Sequence, residues 1–121
     1  GNDARPVQPF GVLQVAPKAS VEQGLEASLE NALAHWLYHD EVWSRGNPMA
    51  KGEILRAIAR IRHALVLFGG IVPRKATAQL REQLGEAEAA LTEAGKDPAA
   101  LFSIAAVSAK LALTEWLVSR S

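Results

Sequence analysis

The segment NPMAKGEILRAIARIRHALVLFGG, residues 47–70, decides how the chain is read. Within it Ile54, Ile58, Ile61, Leu65 and Phe68 follow one another at spacings of four, three, four and three. That alternation keeps apolar side chains on one side of a helix, whereas a half-buried strand would alternate every second residue. Asn47 is a good N-cap, and Pro48 suits a first helical position, where no N–H is needed. Gly69-Gly70 reads as the stop, because paired glycines are poor helix interior. One amphipathic helix therefore presents a seam that must be covered by others.

The flanking segments supply the cover. Toward the N-terminus, Ser20 with Gln23 forms a capping box at the head of a helix. Leu25, Leu29, Ala32, Leu33, Trp36 and Trp43 then gather on one stripe, and the helix should end near Ser44–Gly46. Toward the C-terminus, Pro73 can open a third helix with the stripe Ala76, Leu80, Leu84, Ala87, Leu91 and Ala94, closed by Gly95. Asp97 and Pro98 then cap and open a fourth. That helix is apolar on nearly every side, including Leu101, Phe102, Ile104, Val107, Leu111, Leu113, Trp116 and Leu117. Such a helix is central or shared with another subunit.

These signals predict an all-α fold, a four-helix up-and-down antiparallel bundle with helices at about 20–45, 48–69, 73–94 and 98–119. Residues 1–19 contain Pro6, Pro9 and Pro17, which exclude a regular helix, so an extended N-terminal arm is expected there. Its apolar residues Phe10, Val12, Leu13 and Val15 call for cover from the bundle or a neighbouring subunit. Gly1 in place of a methionine suggests that the native chain began upstream, and the compartment stays open.

Composition narrows the function classes. The 121 residues hold 13 basic and 13 acidic side chains, so no net field draws in nucleic acid or an anionic membrane surface. No apolar run reaches the roughly 18 residues of a membrane span. Absence of cysteine removes disulfides, thiolate metal sites and cysteine nucleophiles. Phosphate-cradling glycine loops and nucleophile elbows do not occur.

The chemistry-bearing residues crowd into Ala34–Trp43, which holds two of the three histidines and two of the three tryptophans. His35 and His39 stand four apart on one helical face, the spacing at which two imidazoles can share a metal. The residue after His35 is Trp36, so the zinc-protease pattern is absent, and no cofactor is called for. His63 points away from the seam and is read as a surface residue, without the lysine and glycine of a phosphotransfer helix. Asp40 falls near the centre of the apolar stripe and needs a partner. A hairpin about Asn47 would supply Lys51, with Arg62 also leaning inward. That pair would fix the hairpin's register, or else belong to a site. Trp36 is read as core, and Tyr38 and Trp43 as lying at or beyond the stripe's edge.

No convergent catalytic set emerges. The sequence points to a non-enzymatic interaction module, self-associating as a homodimer or binding a partner protein. The alternative is a small-ligand or metal-binding bundle whose site includes His35, His39, Asp40 and Trp43.

Overall fold

The computed structural model describes Val7 and residues 20–120. The expected arm over 1–19 falls outside the described residues apart from Val7, which packs against the core. Four helices follow: α1 Val21–Ser44, α2 Ala50–Leu67, α3 Lys75–Glu93 and α4 Ile104–Arg120. Among the described residues there is no strand.

The caps explain most of the boundaries. Ser20 Oγ accepts from the N–H of Gln23 at 3.1 Å, and Gln23 Oε1 accepts from the N–H of Ser20 at 3.1 Å, which completes the capping box. At the other end of α1, Gly46 takes φ +107°, and the N–H of Asn47 reaches back to Val42 O at 3.2 Å. A side chain at Gly46 would be strained in that conformation, which is why glycine stands there. Asn47 does cap, through Oδ1 to the N–H of Met49 at 3.1 Å, but regular α-helix starts only at Ala50.

Regular α2 ends at Leu67, and Phe68–Gly70 follows as a 3-10 turn. Two expected boundaries need correction. Regular α3 starts at Lys75 rather than Pro73. The predicted fourth helix is two pieces. Asp97 caps a short 3-10 segment, Pro98–Phe102, after which Ser103 is extended at ψ 150°. Ser103 Oγ then accepts from the N–H of Ala106 at 3.2 Å and so caps α4 itself.

Polar contacts between helices fix the antiparallel order. On α1, Glu26 meets Arg120 Nε of α4 at 3.1 Å, while Asp40 meets Lys110 Nζ at 2.5 Å. Residue numbers rise along α1 as they fall along α4. The same inversion relates α2 and α3: Arg62 pairs with Glu88 at 3.2 Å, and Lys51 Nζ donates to Thr92 O at 3.2 Å and Gly95 O at 2.7 Å. Each helix packs on the next and α4 closes onto α1. Lys51 thus satisfies carbonyls at the end of α3, not Asp40; the expected Asp40–Lys51 pair does not form.

The core takes Leu29, Trp36 and Trp43 from α1, the Ile54–Ile58–Ile61–Leu65 seam from α2, Leu84 and Leu91 from α3, and Ala109 and Leu113 from α4. Trp43 is 2% exposed, against the expectation of an edge position, and Tyr38 is half-buried against the core rather than outward. At the far end Phe68 meets Trp116 edge-on at 5.1 Å, and the Arg120 guanidinium lies over both rings. Small residues at Ala106 and Ala109 bring α4 close to its neighbours, while Ile104 and Leu111 face solvent on its other side.

Lys110→Met leaves Asp40 without a cation in a largely buried place. It should lower the unfolding free energy by about 1–3 kcal/mol. Urea melts will also show most of that loss recovered in the double variant Asp40→Leu with Lys110→Met.

Candidate functional site

The α1–α2 interface holds a polar cluster inside an otherwise apolar contact. His35 and His39 stack along α1 with ring centroids 4.3 Å apart. His39 is fully buried. Its Nδ1 lies 2.8 Å from the carbonyl oxygen of His35. A carbonyl only accepts, so Nδ1 carries a proton. Tyr38 stands edge-on to the His39 ring at 4.9 Å.

Glu53 enters from α2. It sits in the first turn, where the helix dipole favours a carboxylate, and its side chain is only 6% exposed. Its Oε1 accepts from His35 Nε2 at 3.0 Å, and its Oε2 is held by the Arg56 guanidinium one turn along. The donor atoms of His35, His39 and Glu53 all lie within 4.8 Å of one another.

Environment sets the charge states. Burial lowers the pKa of His35, and the hydrogen bond to Glu53 only partly opposes it. Burial pushes Glu53 upward, but His35 and Arg56 outweigh it and hold the carboxylate below its ordinary range. Asp40 is the opposite case: burial raises its pKa, and Lys110 does not fully compensate.

The four candidate residues therefore part company. His35 and His39 come together, joined by Glu53. Asp40 turns to α4, where Lys110 Nζ also lies 5.7 Å from the Trp36 ring, and Trp43 belongs to the core. Among the described residues the buried Trp43 Nε1 finds no hydrogen-bond partner. Glu53 went unread in the sequence. The signal available was its place one residue before Ile54, at the edge of the seam that faces α1.

A second feature flanks the cluster. Arg56, Arg60 and His63 follow at spacings of four and three on the exposed side of α2. With Leu25 and Ser28 of α1 and Leu67 of α2 they line an open groove of about 530 Å³, with no carboxylate among the described residues that line it. His63 is exposed there, as its helical position implied.

Residues 27–120 match the family model of the CHAD domain. The match spans well over half of the 121 residues, and the chain belongs to the CHAD domain family. Its helical architecture agrees with that membership.

His35 supplies a pH test. Its folded pKa lies below the unfolded value, so the unfolded chain binds the extra proton first. Stability is full above the unfolded value of about 6.5 and falls as pH drops below it. Urea melts between pH 7.5 and 5.5 should show wild-type stability falling more steeply than that of His35→Gln.

Proposed function

We propose that this CHAD domain is a non-enzymatic binding module for a phosphate-rich polyanion, inorganic polyphosphate in particular, taken along the exposed face of α2. The observation that carries the reading is the groove with Arg56, Arg60 and His63 together on one wall. The guanidiniums of Arg56, already paired with Glu53, and of Arg60 stand a helical turn apart, and their N–H groups can donate to successive phosphates. The overall neutral charge argues against long-range capture, but a local cluster of cations draws anions in on contact. Apolar Leu25 and Leu67 lower the dielectric around those charges. No Phe, Tyr or Trp lines the groove to stack a base, which favours a bare phosphate chain over nucleic acid. Domains of this family are often associated with polyphosphate and metal-related functions, in keeping with the reading.

The test is fluorescence anisotropy of end-labelled polyphosphate. Binding should weaken steeply with added salt, as ion release requires. Arg60→Ala with His63→Ala should reduce affinity about tenfold or more, the scale of two lost charge-assisted contacts. Affinity unchanged in that variant, or RNA of equal charge competing better than polyphosphate, would sink the proposal.

A second reading rests on α4 and concerns assembly. Ile104 is 86% exposed, Leu111 58% and Val118 67%, an apolar row spaced by seven residues. An antiparallel second copy centred on Leu111 would set Ile104 against Val118 in both directions, the self-matching that a two-fold interface needs. Sedimentation velocity should then detect a dimer that Leu111→Glu dissociates into folded monomers; a wild-type monomer at high micromolar concentration removes this reading.

A further inference from the structure

We infer that His35, His39 and Glu53 form a binding site for one first-row divalent cation of the zinc class, built across the α1–α2 interface. Two imidazoles and one carboxylate are a donor set that zinc and its neighbours accept, with a remaining position for water. The distances suit it. Tetrahedral bonds of about 2.0–2.1 Å place ligand atoms about 3.3 Å apart. His35 Nε2 and Glu53 Oε1 are already 3.0 Å apart, and the third donor lies within 4.8 Å.

An independent observation is that two of the three donors are oriented from behind in the manner of metal ligands. The Nδ1–H of His39 is tied to the His35 carbonyl, which leaves Nε2 as the coordinating nitrogen. Arg56 holds the outer oxygen of Glu53, so Oε1 alone is turned to His35. The cation would replace the proton that His35 Nε2 now donates to Glu53; that proton moves to Nδ1 of the same ring or to solvent. The positive charge of Arg56 opposes a dication without occupying a donor atom. Micromolar rather than nanomolar affinity is therefore expected. His63 lies on the outer groove and is no part of the set.

The experiment uses the chelator-treated chain in phosphate-free buffer, so the outcome is independent of polyanion binding. Calorimetric titration with Zn²⁺ should give one ion per chain. In histidine-selective NMR of the wild-type protein, the imidazole resonances of His35 and His39 should shift on saturation while those of His63 do not. Co²⁺ should develop the visible bands of a four- or five-coordinate ion. His35→Gln and Glu53→Gln, checked for fold by far-ultraviolet circular dichroism, should each weaken Zn²⁺ binding at least tenfold, with His63→Ala unchanged. Absence of saturable binding up to millimolar Zn²⁺, or shifts confined to His63, would overturn the inference.

Discussion

Helix α1 directs buried polar groups at two neighbours at once, and the bundle is arranged around that constraint. His35 reaches Glu53 on α2, while Asp40, little more than a turn later, reaches Lys110 on α4. An apolar seam tolerates sliding by part of a turn, since one branched side chain packs much like the next. A buried carboxylate does not, because losing its partner leaves an uncompensated charge away from water. Sliding α2 or α4 along α1 would strand Glu53 or Asp40. The two pairs therefore specify alignment more than they add stability, and the isoleucine and leucine seam supplies the burial.

The parts of the fold carried by local rules were legible in the sequence. The isoleucine seam, the Ser20–Gln23 box and the glycine at 46 each act within a few residues, so their meaning survives without knowledge of the partner surface. Features decided across the bundle were not legible. Lys51 looked like the natural partner of Asp40 because the hairpin brings their levels together. Yet the carbonyls ending α3 claim it, and a lysine from α4 takes its place. Trp43 sits where α1 alone would expose it, and packing against the other helices buries it. The break at Ser103 was hidden because Asp97-Pro98 is itself a sound helix start. Of the candidate site, the two histidines were readable from their spacing. Their carboxylate was not, because a lone Glu in a first turn ordinarily faces solvent.

Net charge proved a poor guide to local electrostatics. The equal totals of acids and bases conceal a division between helices: α2 carries Lys51, Arg56, Arg60 and Arg62 against Glu53 alone, while α3 carries Glu82, Glu86, Glu88 and Glu93 against Lys75 and Arg81. Where these helices meet, Arg62 and Glu88 cancel one another. On the side of α2 that turns toward α1, Glu53 is taken up by His35 and Arg56, and no acid is among the described residues that line the groove beside Arg60 and His63. A field that vanishes at long range is thus compatible with a surface that attracts anions on contact.

The ion pair between Asp40 and Lys110 spans 70 residues, whereas the hydrogen bond between His35 and Glu53 spans 18. This difference bears on the order of events during folding. The α1–α2 hairpin closes a short loop, has its own caps and can assemble early; α4 must be brought back across most of the chain before its lysine is of any use. Contacts made late contribute little to the folding barrier and mainly retard unfolding. Docking of α4 thus governs how long the native state lasts rather than how quickly it is reached.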